Sequence, residues 1–178
     1  MSRIVSPIDT PVVSAEAGRT LPVTSQEPET EAAFAIRRVL VVCLGNVCRS
    51  PIAEFVLRRR LAGRDVIVES AGIAATDGAR IDPRALSVLD RHGIDADAHV
   101  ARRLDQRMLD EADLVLVMER AQLELIRSQI PSAAGKTFLL GKWQGGFEIP
   151  DPLGKPHETF EHVFRTVEQA TRRWCELI

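Results

Sequence analysis

Residues 38–51 read RVLVVCLGNVCRSP, and they carry the strongest structural signal in the chain. The run from Arg38 to Val42 is short, apolar and rich in β-branched side chains, which is typical of a buried parallel strand. Pro51 stands where the first turn of a helix tolerates proline, and apolar side chains recur at helical spacing after it until Gly63. The stretch therefore predicts a strand, a tight loop and a helix in direct succession.

The same alternation continues along the rest of the chain. Strand-like runs lie at 66–68, 114–118 and 138–140, and helical patterns lie at 82–93, about 119–129 and about 157–177. Strands that alternate with helices form a parallel sheet covered on both faces. The predicted fold class is therefore α/β, with a four-stranded parallel sheet and helices on both faces, a flavodoxin-like three-layer sandwich. Sites in such sheets lie at the carboxyl ends of strands, where Cys43 stands.

Residues 1–35 have a different composition. They contain four prolines, one aromatic residue, and five acidic against two basic side chains. Such a segment buries too little apolar surface to offset the entropy of ordering it. We expect residues 1–35 to be a disordered extension and residues 36–178 to form the folded domain.

The bulk properties exclude several classes of protein. The 178-residue chain has a formal net charge of −2, which argues against nucleic acid as a partner. No apolar run approaches the roughly 20 residues that cross a bilayer, so no membrane insertion is expected. The N-terminus lacks the pattern of a signal peptide, and three cysteines make a poor disulfide framework. We therefore predict a cytoplasmic location.

The loop after the first strand has the features of an anion site. Because it is short, its backbone must curl; Gly45 takes positive φ freely, and Asn46 tolerates the left-handed region. A curled loop points successive N–H groups at one centre, and the start of the helix adds its own unpaired N–H groups. This predicts a cradle for a tetrahedral dianion. The predicted phosphate-binding residues are Leu44, Gly45, Asn46, Val47, Cys48, Arg49 and Ser50.

Three side chains of this loop suit phosphoryl transfer. The positive field of the cradle favours the thiolate of Cys43 over the thiol, and Ser50 is placed to donate a hydrogen bond to that sulfur. Arg49 offers a planar fork to two phosphoryl oxygens at once. The arrangement needs no cofactor and no metal, and two cysteines five positions apart do not match a zinc site. Cys43 is thus the candidate nucleophile and Arg49 the candidate clamp.

On the basis of these residues, the chain resembles a known family. The segment from Cys43 to Pro51 resembles the signature of the low-molecular-weight protein tyrosine phosphatases, and the resemblance continues to the C-terminus. Later segments follow the family's order: Ser70-Ala71-Gly72, Asp82-Pro83-Arg84-Ala85, His99-Val100-Ala101-Arg102 and Asp151-Pro152. Leu140-Gly141-Lys142-Trp143 and Ile149-Pro150-Asp151-Pro152 are most similar to the bacterial branch associated with exopolysaccharide export. The resemblance implies a phosphotyrosine phosphatase that acts through a cysteinyl-phosphate.

The resemblance also implies roles for residues outside the loop. Asp151 would be the general acid that protonates the phenolate, and then the base that activates water. Ser70 and His99 would hydrogen-bond Asn46 and hold the loop. Cys48 would form a disulfide with Cys43 on oxidation, although a buried packing role is an equal alternative. The implied partner is a phosphotyrosine protein, such as a bacterial tyrosine autokinase or an exopolysaccharide-export protein.

One departure from the family pattern and three rival functions stay open at this stage. Where the family commonly has an aromatic residue after Asp-Pro, this chain has Leu153; Trp143 is a candidate rim residue, with packing as its alternative. The related arsenate reductases need further mid-chain cysteines, and none lies between Cys48 and Cys175. The related protein-arginine phosphatases carry Thr where this chain has Val47. A phosphate-binding module without catalysis is disfavoured because nucleophile, clamp and acid are all present.

Overall fold

The computed structural model describes residues 35–178. The predicted N-terminal extension, residues 1–35, therefore lies outside the described residues except for Ala35. Four strands form one sheet in the order β2-β1-β3-β4, and every neighbouring pair is parallel. The strands are β1 (Arg38–Cys43), β2 (Ile67–Gly72), β3 (Leu114–Val117) and β4 (Thr137–Leu139). The predicted four-stranded parallel sheet is confirmed.

Five α-helices surround the sheet within the described residues. They are α1 (Arg49–Arg60), α2 (Pro83–Arg91), α3 (Gln106–Glu111), α4 (Arg120–Gln129) and α5 (His157–Leu177), with single 3₁₀ segments at Pro131–Lys136 and Lys142–Gln144. Alternate residues of β1 point to opposite faces: Val39 and Val41 pack in the core with α1, α2 and α5, whereas Leu40 and Val42 pack with α3 and α4. The molecule therefore has three layers, as predicted.

The helix starts and ends follow from local chemistry. The Asp82 carboxylate caps α2 by accepting from the backbone N–H of Arg84 at 2.8 Å, and Gly93 ends this region with a φ of 69°. In contrast, Cys48 at the start of α1 makes no side-chain cap. The first N–H groups of α1 consequently stay available at the carboxyl end of β1.

Two elements differ from the sequence prediction. Strand β2 continues to Gly72, so Ser70, Ala71 and Gly72 lie inside the strand and not after it. Glu69 obscured this extension because it interrupts the apolar run; its carboxylate pairs with Arg38 and Arg102. Helix α3 was not predicted, because its six residues present a single buried side chain and no helical period.

None of the helices between residues 35 and 178 is both long enough and apolar enough to cross a bilayer.

Candidate active site

The loop between β1 and α1 is shaped around one left-handed residue. Asn46 has a φ of 55° and is the one non-glycine residue with positive φ in the described part of the chain. Of the two residues that the sequence offered for positive φ, Gly45 does not adopt it. The turn at Asn46 points its backbone N–H at the Cys43 sulfur, 3.2 Å away. The loop therefore curls over the sulfur through the left-handed conformation of Asn46.

Hydrogen bonds from separate elements hold Asn46 in this conformation. Its side-chain amide donates to Ser70 Oγ at 2.7 Å, and its side-chain oxygen accepts from the Arg102 backbone N–H at 3.0 Å. The Asn46 carbonyl lies 2.9 Å from His99 Nε2 and can only accept, so Nε2 is the donor. The structure thus brings Ser70 and His99 to Asn46. The Arg102 contact is made by its backbone N–H, so no side-chain pattern in the sequence could have indicated it.

Cys43 is buried beneath the loop with Ser50 beside it. Ser50 Oγ lies 2.9 Å from Cys43 Sγ, and it also accepts a hydrogen bond from the Asn46 amide at 2.9 Å. Because the amide fills an acceptor position of the hydroxyl, the hydroxyl proton is free to point at the sulfur, at 2.9 Å, in preference to the Ala71 carbonyl, at 3.5 Å. A Cys43 thiolate, which can only accept, then has two donors, the Ser50 hydroxyl and the Asn46 N–H.

Behind Asn46 lies a buried carboxylate that sequence reasoning missed. Glu54 of α1 is only 4% exposed, accepts a hydrogen bond from the Ser70 hydroxyl, and lies 3.8 Å from His99 Nδ1. It is also paired with Arg58 at 2.6 Å. The available signal was a single acidic residue inside the apolar stripe of α1. Glu54 directs the Ser70 proton away from Asn46, so Ser70 Oγ is free to accept from the Asn46 amide.

Arg49 is buried at the start of α1 and is held by two carboxylates and one carbonyl. Its guanidinium, 2% exposed, contacts Glu119 and Asp151 and donates to the Ile149 carbonyl at 3.2 Å. Glu119, which sequence reasoning also missed, follows the end of β3. The signal that could have found it is a charged residue at the carboxyl end of a buried parallel strand. The structure brings the candidate clamp and the candidate acid into direct contact.

The loop lies directly on the end of β2. The Cys43 and Leu44 carbonyls accept hydrogen bonds from the backbone N–H groups of Ile73 and Ala74, at 3.0 and 2.8 Å. A Cβ atom on Gly72 would lie 2.7 Å from the Leu44 oxygen and 2.8 Å from the Asn46 nitrogen. Gly72 is therefore required for close approach of two backbone segments, although it takes no positive φ.

An open cavity of about 250 Å³ lies over the sulfur. Its lining residues are Cys43, Leu44, Gly45, Val47, Cys48, Arg49, Ala74, Asp151 and Leu153. Leu153, 57% exposed, is among the lining residues of this cavity. Trp143 is not part of the lining; its ring packs edge-on against Trp174 of α5, with centroids 5.5 Å apart. Leu44, Val47, Ala74 and Leu153 supply the aliphatic part of the cavity wall.

Cys48 is buried at the edge of the cavity. Burial raises the pKa of its thiol to about 12, and the carboxylates of Asp82 and Asp151 and the neighbouring Cys43 add to this effect. Cys48 is therefore a neutral thiol at physiological pH. No group of three or more His, Cys, Asp or Glu side chains within residues 35–178 is arranged to hold a metal ion.

The sequence and the fold match those of known proteins. The family model for low molecular weight phosphotyrosine protein phosphatase matches residues 38–178. The low molecular weight protein-tyrosine-phosphatase Wzb of Escherichia coli is 40% identical over 140 residues, which cover 79% of this chain and 94% of Wzb. Similarity to exopolysaccharide-associated bacterial phosphatases, predicted from the sequence, is confirmed.

Two solved structures have the same fold. Vibrio vulnificus Wzb in complex with benzylphosphonate aligns with a TM-score of 0.77 at 35% identity, over 81% of this chain and all of that one. The YwlE arginine phosphatase of Geobacillus stearothermophilus aligns with a TM-score of 0.74 at 34% identity, over 79% of this chain and 92% of that one. Matched by the family model over residues 38–178, the chain belongs to the low-molecular-weight protein-tyrosine-phosphatase family.

Proposed function

We propose that this chain hydrolyses phosphotyrosine in proteins with Cys43 as nucleophile, Arg49 as phosphate clamp and Asp151 as general acid. The observation that carries the proposal is the site itself: a buried sulfur with two hydrogen-bond donors lies under a curled loop, and the guanidinium and the carboxylate meet at the same cavity. These groups supply the positioning and the charge stabilisation on which phosphoryl transfer depends.

In the first step the Cys43 thiolate attacks phosphorus. The bond between phosphorus and the phenolic oxygen breaks, and the Asp151 carboxyl gives its proton to that oxygen. A phenol has a pKa of about 10, so an unprotonated phenolate is a poor leaving group at neutral pH, and an acid of this kind typically contributes about 10²–10⁴-fold. Arg49 and the loop N–H groups bind the phosphoryl oxygens during transfer.

In the second step water attacks the cysteinyl-phosphate. Asp151, now a carboxylate, accepts the proton of the water, and the bond between phosphorus and sulfur breaks. The sulfur leaves as a thiolate, which the Ser50 hydroxyl and the Asn46 N–H stabilise by hydrogen bonds. Inorganic phosphate is the product, and the enzyme returns to its initial state.

The cavity favours an aryl substrate. Leu44, Val47 and Leu153 give it apolar walls, and Cys43 lies buried at its floor. A flat phenyl ring suits such walls, whereas a phosphoserine side chain has no ring to pack against them. Phosphoarginine is the second candidate, because the YwlE arginine phosphatase shares the fold; a charged guanidinium is a poorer match for the apolar Val47 wall.

The physiological substrate in this proposal is a bacterial tyrosine autokinase or an exopolysaccharide-export protein in the cytoplasm. The support is the similarity to Wzb and its exopolysaccharide-associated relatives. Incubating a purified, autophosphorylated kinase of this class with the enzyme tests the assignment. Loss of its phosphotyrosine at a rate well above that of an unrelated phosphoprotein is expected, and equal rates on both would contradict it.

The chemical specificity is tested with three peptides of one sequence that carry phosphotyrosine, phosphoserine or phosphoarginine. The highest kcat/KM is expected for phosphotyrosine, with no turnover of phosphoserine. Val47→Thr provides a matched variant and should raise activity on phosphoarginine relative to phosphotyrosine. A wild-type preference for phosphoarginine would overturn the proposed specificity.

A further inference from the structure

Arg84, in the first turn of α2, connects two parts of the active site: the phosphate-binding loop and the segment that carries Asp151. Its Nε and Nη2 donate to the two oxygens of Asp82 at 3.1 and 2.8 Å, and its Nη1 donates to the Lys155 carbonyl at 2.7 Å. Its guanidinium also lies over the Phe160 ring, 4.7 Å from the centroid. All three guanidinium nitrogens of Arg84 thus donate hydrogen bonds, two to the Asp82 carboxylate and one to the Lys155 carbonyl.

The Asp82 end of this link belongs to the phosphate-binding loop. The Asp82 backbone N–H donates to the Val47 carbonyl at 2.9 Å, so the start of α2 is attached directly to the loop. Burial alone would raise the pKa of the Asp82 carboxyl, but the hydrogen bonds from Arg84 outweigh burial and hold this pKa below its usual range. Asp82 is therefore an ionised, nearly buried partner that fixes Arg84 in place.

The Lys155 end of the link belongs to the segment that carries Asp151. The backbone N–H of Leu153 donates to Asp151 Oδ1 at 3.0 Å, and the Lys155 N–H donates to the Pro152 carbonyl at 2.9 Å, so residues 151–155 form one compact turn. Before this turn, the Ile149 N–H donates to the Met118 carbonyl at 2.9 Å and attaches the segment to the end of β3. Arg84 attaches the other end.

We propose that Arg84 is a positioning residue that sets the distance between the Asp151 carboxyl and the leaving oxygen of a substrate held in the phosphate-binding loop. The inference rests on the proposed function of Asp151 as general acid. Arg84 touches neither substrate nor phosphate in this scheme; it acts through the turn at residues 151–155. Its loss should therefore weaken proton donation and leave phosphate binding intact.

Leaving-group chemistry distinguishes this role from a general structural one. Phenyl phosphate has a basic leaving group and needs the acid, whereas a dinitrophenyl phosphate leaves readily without a proton. Values of kcat/KM on both substrates should be measured for Arg84→Ala, Arg84→Lys and Asp151→Asn. Arg91→Ala is the matched control, because Arg91 also joins α2 to the region after the turn, through His157 and Glu161, and contacts neither Asp82 nor Lys155.

Arg84→Ala should lower kcat/KM on phenyl phosphate by about tenfold or more and on the dinitrophenyl ester by less than about twofold. Arg84→Lys should behave similarly, since one ammonium keeps charge beside Asp82 but cannot reproduce the planar fork. The inhibition constant for inorganic phosphate should change little in both variants, which would show that the phosphate-binding loop is intact. Arg91→Ala should leave both substrates unaffected, and Arg84→Ala should add no further loss in an Asp151→Asn background.

Equal losses on the two esters, or no loss on either, would overturn the positioning role of Arg84 while leaving the role of Asp151 standing. A different result would overturn the acid assignment itself: Asp151→Asn losing activity equally on both esters, in which case the inference about Arg84 falls with it. The two failures are therefore distinguishable in one set of measurements.

Discussion

Gly72→Ala should displace the phosphate-binding loop while leaving the fold intact. A Cβ atom at this position would lie 2.7 Å from the Leu44 oxygen, 2.8 Å from the Asn46 nitrogen and 2.9 Å from the Ala75 Cβ, whereas ordinary contacts begin at about 3.4 Å. Two of these neighbours are backbone atoms of the loop and cannot rotate away. Either the loop or the end of β2 must therefore move by roughly half an ångström.

The magnitude follows from the elements on either side of Gly72. Strand β2 is paired with β1 along its length, so the loop is the part that gives way. Overpacking of this kind typically costs about 1–3 kcal/mol in the free energy of unfolding, or about 2–4 °C in Tm per kcal/mol for a domain of this size. Displacing Asn46 and its N–H should lower kcat/KM on an aryl phosphate by roughly tenfold or more and weaken inhibition by inorganic phosphate.

Thermal unfolding, kcat/KM and the inhibition constant for inorganic phosphate should be measured together. Gly135→Ala is the control, because a Cβ on Gly135 meets nothing within 4 Å and the residue has no positive φ. This control should be near wild type in all three measurements. A Gly72→Ala variant with lowered Tm but unchanged kinetics would refute the reasoning, since β2 and not the loop would then have moved.

Four further outcomes are expected. Cys43→Ser should abolish turnover but retain phosphate-analogue binding, measured calorimetrically; residual turnover would identify another nucleophile. Arg49→Lys should be nearly as damaging as Arg49→Ala in kcat/KM, because an ammonium cannot reproduce the planar fork; near-normal activity would exclude bidentate clamping. Leu153→Tyr should lower KM a few-fold for phosphotyrosine peptides by stacking on the ring, with no gain for phosphoserine peptides; an unchanged KM would exclude stacking at Leu153. Peroxide oxidises the Cys43 thiolate to a sulfenic acid with release of hydroxide, and the Cys48 thiolate then attacks that sulfur and displaces a second hydroxide to form the disulfide. Because the pKa of Cys48 is raised to about 12, its thiolate fraction increases about tenfold per pH unit below that value, so this second step, measured by mass spectrometry at saturating peroxide, should accelerate with pH; a rate of the second step that is independent of pH would contradict this.

The fold was largely predictable because its signals are local. Buried strands of a parallel sheet form continuous apolar runs, and the helices between them carry apolar stripes and end signals such as Asp82-Pro83 and Gly93. Helix α3 was not predicted because six residues are too few to show a helical period of apolar side chains. The extension of β2 was not predicted because Glu69 interrupts its apolar run. Both misses come from short segments whose structure depends on tertiary contacts.

The residues of the site also fall into two groups: those that the sequence shows together and those that only the fold brings to the site. Cys43, Arg49 and Ser50 lie within eight residues of one another, so the sequence shows them together. Glu54 and Glu119 reach the site only through the fold, and each appears in the sequence as an ordinary charged residue on a helix or after a strand. The choice of Asn46 over Gly45 as the left-handed residue also depends on tertiary contacts, because the hydrogen bonds to Ser70, His99 and Arg102 select it.

The order of the strands explains why support can reach the loop from both sides. Strand β1, which carries Cys43 at its end, lies between β2 and β3. On one side the end of β2 supplies Ser70 as a hydrogen-bond partner for Asn46 and Gly72 as a surface for the loop. On the other side Glu119, just after β3, contacts Arg49. Had β1 been an edge strand, one of these two sets of contacts would be missing, and either the left-handed Asn46 or the buried guanidinium would lack the partners that hold it. The central position of the nucleophile strand is therefore a requirement of the chemistry as well as a feature of the fold.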